Sequence, residues 1–399
     1  MISILKTRLF PNFYGLPLFF FPLSTAASGI AMGVLLLVYG LSGYWRNWRA
    51  IRKRGWWLPW LLLMAWTAIG LLWTTNLFFG QKVLVSTFDA IFAFIGATLP
   101  WQERWVKWVI RWFLAGILVN EMLAFLMTWK VLPWHNTDWI PYTGFCDHIF
   151  LSLVIAHAIL WLIYDQKMQW NFPRSVNLML IMVLLAQMAL TPGRSGQVLL
   201  ILLLPMALFM LYPGRWRLAL PLAGLFAAAI LLAVPDVRQH LMVGVHELMT
   251  FSPSQADVRT SWGIRVVAMW GGALLFWQHP FFGVGTGDFY PAVLQLQAQH
   301  LLPATPGFIM NTAANSFLSE AASLGVVGLS LFIWVLWAIG REAWQARFTP
   351  QGWFVLSYFA IYVIGGTFDS LSWGYADAVN IALFAGMPLL LRWPLVSRR

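Results

Sequence analysis

Apolar positions in this chain run in long unbroken stretches, and charge, Pro and Gly fall mainly between them. Twelve such stretches can be marked, at roughly 11–24, 26–44, 56–75, 83–99, 106–128, 146–164, 175–191, 196–212, 218–234, 316–340, 352–368 and 375–392. A helix crossing the hydrocarbon of a bilayer needs about 17–25 apolar residues, and most of these stretches supply that. The runs are continuous and do not alternate with period two, so helices and not a β-barrel are indicated. The pattern predicts an all-α polytopic membrane protein with about 12 transmembrane helices in a single domain, residues 1–399.

Composition sharpens this. Of 399 residues, 60% are hydrophobic and only 10% charged, against about 25% charged in a soluble domain. A chain so poor in charge cannot cover a water-facing surface, and the same numbers exclude a disordered chain. The single cysteine, Cys146, permits no internal disulfide, and no Cys/His cluster suggests a metal site.

The net charge of +11 would suit a nucleic-acid partner, but its distribution says otherwise. With both termini inside, nineteen of the 25 basic residues fall in cytoplasmic loops, as the positive-inside rule requires. The densest run, Arg46 to Arg54, then reads as an orientation anchor on anionic lipid headgroups. Many of the 26 tryptophans, among them Trp56, Trp101 and Trp139, sit near span ends as an interfacial belt. Lys6, Arg8, the apolar stretch to Phe21 and Ser24–Ala27 resemble a secretory signal; we read the segment as a first span.

Loops are short except for residues 235–315, a segment between the ninth and tenth spans on the outer face, with an amphipathic stretch near 258–278. A loop this long usually carries function or short helices of its own. Its charges are Arg238, Arg259 and Arg265 against Asp236, Glu247, Asp257 and Asp288, a net of −1. Anion recognition there must therefore come from individually placed arginines.

Arg194, in Thr191-Pro-Gly-Arg-Ser-Gly-Gln197, is the most conspicuous. It opens a helix on the face that ordinarily avoids arginine, and a helix N-terminus favours anions. Guanidinium also suits bidentate phosphate contact. Arg265 is embedded in an apolar stretch. Arg259, six residues earlier, would lie about 240° away on one helix and is as readily paired with Asp257. His279-Pro-Phe-Phe-Gly-Val-Gly-Thr-Gly-Asp288 lacks the dinucleotide-fingerprint spacing and says only that the backbone bends sharply. His148 beside Asp147 could order an acceptor or make a structural hydrogen bond. His246-Glu247 fails the zinc-protease pattern, having Thr250 in the fifth position. Asp89, Glu121, Glu320 and Asp377 fall inside spans, as paired polar contacts or as a proton path.

In this order, the Gly193-Arg-Ser-Gly196 turn, the Ser261…Arg265…Trp270 stretch, the His279–Phe289 segment and Asn315-Ser-Phe-Leu…Gly325-Val-Val-Gly328 resemble the bacterial O-antigen ligase family. The resemblance covers the topology of the whole chain, but its motifs lie only between about 190 and 330. It implies a metal-independent, cofactor-free glycosyltransferase of the Gram-negative inner membrane, with both termini cytoplasmic and its site facing the periplasm. The donor would be a glycan on undecaprenyl pyrophosphate and the acceptor a sugar hydroxyl of lipid A-core. By matching positions, Arg194 and Arg265 would clamp the pyrophosphate. Arg259, Asn315, Lys82, Asp369 and His148 complete the candidate substrate-binding set.

One position departs from the pattern. The family places a histidine, as general base, immediately before the asparagine, and here that slot is Ala314. A methyl group accepts no proton. An inactivating substitution would explain this, and so would a divergent member using another base; the intact remainder favours the former. A restored base should then raise transfer about 10²–10⁴-fold. An O-antigen polymerase or a protein O-oligosaccharyltransferase would share these features and differ in acceptor. A secondary transporter would instead place its ligand groups near the midplane, whereas the unusual arginines here gather at one face.

Overall fold

In a computed structural model, the described residues are 10–133, 142–191, 193–212, 261–305, 309–372 and 374–389, with isolated positions between 214 and 249. They form helices joined by turns, without strands. The elements are α1 (Phe10–Phe20), α2 (Thr25–Ser42), a 3-10 helix (Tyr44–Lys53), α3 (Trp57–Ile69), α4 (Leu77–Phe88), α5 (Ile91–Thr98), α6 (Glu103–Thr128) and α7 (His148–Met168). After them come α8 (Arg174–Leu190), α9 (Arg194–Leu211), α10 (Ser261–Gln278), α11 (Phe289–Ala298), α12 (Ser316–Gln345), α13 (Pro350–Gly365) and α14 (Tyr375–Ala385).

Among the described residues, six helices are long and apolar enough to cross a membrane. A seventh follows if the 3-10 helix and α3, bent by 103° from each other, count as one span. The protein is thus an all-α polytopic membrane protein. The run predicted at 175–191 appears as α8 with 17 residues, and that predicted at 11–24 as the shorter α1 with 11. The run predicted at 218–234 lies mostly outside the described residues, as do residues 235–260 and 306–308 of the long loop apart from positions 242, 246 and 249. The rest of that loop contains α10 and α11. The fourth run begins earlier than predicted, at Leu77, because the Asn76 side chain caps the helix by accepting from Phe79 N–H.

At the centre stands α7, 83% of whose apolar window is buried. His157, halfway along it, is fully buried and lies 2.8 Å through Nε2 from the Phe354 carbonyl. The rings of Phe113, Phe354, Tyr358 and Phe384 close around it at 4.4–5.3 Å. Aromatic pairs of this kind add about 0.5–1.5 kcal/mol beyond their burial.

At one end of the bundle the buried Arg54 joins three segments. Its Nε donates to Glu342 at 2.8 Å, and its two other nitrogens donate to the carbonyls of Met387 and Ala385 at 2.9 and 2.6 Å. Asp165 closes a second lock nearby, accepting from the N–H groups of Trp170, Asn171 and Phe172 and from Asn177.

At the opposite end α12 breaks. Gly325 has φ 69° and ψ −169°, which interrupts the helical ladder. The glycine segment before α11 fills the interruption. Val284 and Gly285 N–H donate to the carbonyls of Ala322 and Ser323 at 2.9 and 3.0 Å, and Val326 N–H donates to Pro280 at 2.7 Å. Gly283, Gly285 and Gly287 all have positive φ, so the bend expected from their alternation is real. Asp288 ends the strap by accepting from Thr74 Oγ1 (2.6 Å), Thr75 N–H (2.7 Å) and Asn76 N–H (2.8 Å).

A side chain at 325 would drive its Cβ into the Phe281 carbonyl, on a backbone that L-residues rarely adopt. Gly325→Ala should therefore lower stability by at least about 1–3 kcal/mol, read as a lower unfolding midpoint in detergent. Gly33→Ala, on the exposed face of α2 with nothing within 4 Å of the new methyl, should not lower it.

Candidate functional site

The broken end of α12 positions the first part of the site. Asn315 caps the helix, its Oδ1 accepting from Leu318 N–H at 2.9 Å and its Nδ2 donating to Thr367 at 3.0 Å. Ser316 N–H donates to Gly366 at 2.7 Å, and its hydroxyl donates to the Asp369 carbonyl at 3.1 Å. The Ser319 hydroxyl receives Ala313 N–H at 3.0 Å and lies 2.9 Å from the Ser370 hydroxyl. These bonds fasten the 313–319 segment to the turn after α13, residues 366–372.

That turn presents Asp369 to Arg265. Asp369 Oδ1 accepts from Ser370 N–H at 2.8 Å, which leaves Oδ2 facing Arg265 Nη2 at 3.7 Å. Both side chains keep about a quarter to a third of their surface exposed (25% and 31%), so the pair is accessible. Helix α10, which carries Arg265, packs closely because Gly272 faces Ala313 and Leu318; a Cβ there would lie 2.7 Å from the Ala313 methyl.

The second part of the site is the start of α7 and α9. Asp147 caps α7, accepting from Ile149 and Phe150 N–H at 2.9 and 3.2 Å, and its Oδ2 lies 3.4 Å from His148 Nδ1. Helix α9 begins at Arg194, as its glycine-flanked turn predicts, and the Arg194 side chain is exposed. Gly193 and Gly196 bring this end against α7. A Cβ at Gly193 would collide with the His148 carbonyl, and Gly196 N–H donates to Ser152 Oγ at 3.1 Å. The N-termini of α7 and α9 therefore lie side by side.

The turn after α13 joins the two parts. Gly365 at its base packs against Leu199 of α9 and Leu153 of α7, each five residues beyond Arg194 and His148, as well as against Leu371. Asp377, whose buried carboxyl accepts from Tyr358 O–H at 3.0 Å, lies within electrostatic range of both Asp147 and Asp369. Arg194, His148, Arg265, Asp369, Ala314 and Asn315 thus share one end of the bundle.

Two sequence candidates are not joined to this end by any described contact. Lys82 lies on the exposed face of α4, 4.4 Å over the Phe78 ring, and no described contact joins it to the Arg265–Asp369 pair. Arg259 lies outside the described residues. The sequence reading missed the Ser316, Ser319 and Ser370 network. A serine at each of the first and fourth helical positions after an asparagine cap was its available signal.

Residues 178–333 match the family model described as O-antigen ligase. The protein is a polytopic helical membrane protein, and over this segment, less than half of the chain, it is similar to the O-antigen ligase family. The match takes in Arg194, Arg265 and Ala314 and stops beyond the Gly325 break, leaving His148 and Asp369 outside it. Among curated proteins no sequence matches the chain.

Ala314 has φ 50°, in the left-handed region. Asn, Asp and His occupy that region more readily than other non-glycine residues, so the backbone at this position would suit a histidine. Ala314→Val should destabilise by about 1–2 kcal/mol, while Ala314→Gly should not; paired thermal unfolding curves in detergent decide this.

Proposed function

We propose that this rim is the site of a glycosyltransferase that moves an O-antigen glycan from undecaprenyl pyrophosphate to a sugar hydroxyl of lipid A-core. In this reading the chain spans the inner membrane twelve times, with both termini in the cytoplasm and the site facing the periplasm. Support comes chiefly from the turn after α13, which pairs Asp369 with Arg265 while its base packs on the helices that begin at His148 and Arg194.

A glycan on a diphosphate already carries a good leaving group. Catalysis then needs positive charge where negative charge develops and a fixed approach for the acceptor. Arg194, at a helix N-terminus, and Arg265, oriented by Asp369, would bind the two phosphates. As the anomeric carbon–oxygen bond breaks, its electron pair passes to the diphosphate, where the guanidinium groups stabilise it. Asn315 is committed to capping α12, so its role is to hold the 313–316 segment in place.

Purified protein with purified lipid-linked donor and lipid A-core acceptor in detergent should form the glycan–core product. Arg194→Ala and Arg265→Ala should each lower the rate about 10²–10³-fold. Full activity in both variants would remove the clamp. Product formed with a free O-unit or a protein as acceptor, and none with lipid A-core, would reassign the reaction within the family. A Lys at either position should recover only part of the loss, since ammonium lacks the planar bidentate fork.

A further inference from the structure

The proposed transfer requires a proton acceptor for the sugar hydroxyl, and Ala314 cannot supply one. We infer that His148, oriented by Asp147, is that acceptor in this chain. The inference rests on the function proposed above.

Several ionisable groups at this rim are committed elsewhere. Asp369 is divided between Ser370 N–H and Arg265. Asp377 is buried and receives the Tyr358 hydroxyl. Asp147 accepts two backbone N–H groups of the helix it caps and faces His148 through its other oxygen. His148 differs from all of these. Its Nδ1 faces the carboxylate at 3.4 Å, and no described protein group hydrogen-bonds to Nε2. With 31% of its side chain exposed, it is reachable from outside.

A carboxylate opposite Nδ1 holds the hydrogen on that nitrogen and leaves the Nε2 lone pair as the acceptor. It also stabilises the imidazolium once a proton has arrived, the same division of labour as in a base oriented by a buried acid. Placement agrees with this role. The His148 backbone abuts Gly193, one residue before the arginine assigned to the diphosphate, and both helices border the Asp369 turn.

The step balances. His148 Nε2 takes the proton of the acceptor hydroxyl while that oxygen bonds to the anomeric carbon. The bond from that carbon to the phosphate oxygen breaks, and the diphosphate leaves with the electron pair. Asp147 is a positioning residue.

Substituting His148 by Ala should lower transfer about 10²–10⁴-fold, with binding of the lipid-linked donor retained. Added imidazole should restore part of the rate, which a structural loss would not permit. Asp147→Asn keeps a helix-capping side chain and should lower the maximal rate without changing the donor KM. Ala314→His should restore transfer in the His148→Ala background; in the unsubstituted chain it should change transfer less than tenfold, in place of the 10²–10⁴-fold gain expected if position 314 alone carried the base. A gain of 10²-fold or more in the unsubstituted chain would mean that the base is missing, and would overturn the inference. So would full activity of His148→Ala alongside inactive Arg194→Ala, an outcome that leaves the parent function standing. Absence of transfer by the unsubstituted protein and by its Ala314→His form alike would overturn both.

Discussion

A helix interrupted inside a membrane protein exposes backbone groups that lipid cannot satisfy, each costing several kcal/mol if left alone. Gly325 creates such an interruption in the longest helix among the described residues. The glycine strap answers it with three backbone hydrogen bonds, two donated to Ala322 and Ser323 and one accepted from Val326. Those bonds also fix where α10 ends and α11 begins. The position of Arg265 relative to residues 313–319 follows from them. Only glycine fits at several of these places, because the strands of backbone touch where a Cβ would stand.

Polar side chains are gathered at the two ends of the bundle, and the ends differ in kind. Around Arg54 and Asp165 the charged groups are buried and their hydrogen bonds run to fixed backbone partners. Such an arrangement holds helices together and offers nothing to a ligand. Around Arg194, Arg265 and His148 the polar groups retain exposed surface, and glycines replace side chains beneath them. Rigid support below and accessible charge above are what a site for an anionic lipid-linked substrate requires. Between the ends, Glu121 is buried, and among the described residues neither of its carboxylate oxygens has a hydrogen-bond partner.

Much of this was legible in the chain. Unbroken apolar runs located α2, α6, α7, α9 and α12 to within a few residues, because a bilayer imposes length as well as polarity. Arg194 stood out because it opens a helix between glycines, and Arg265 because it interrupts an apolar stretch. Other features depend on partners distant in sequence. Asp288 looked like one acid in a loop of near-zero charge, yet it caps a turn more than two hundred residues earlier. The glycine triad announced a bend without announcing that the bend would fill a broken helix. Asp369 came in only through family resemblance, since nothing local to Phe368-Asp369-Ser370 points to an arginine on α10. Lys82 came in the same way, and in the structure it lies over the Phe78 ring.

The Arg54 lock has a consequence for how the protein is made. Its guanidinium needs Glu342 on α12 and two carbonyls at the end of α14, all near the opposite end of the chain. During synthesis this cation emerges roughly three hundred residues before its partners exist. Until then it must remain in water or among headgroups, which the bend between the 3-10 helix and α3 allows. The segment that carries Arg54 is therefore sealed into the bundle late, and a ribosome that stops short of α14 leaves it open.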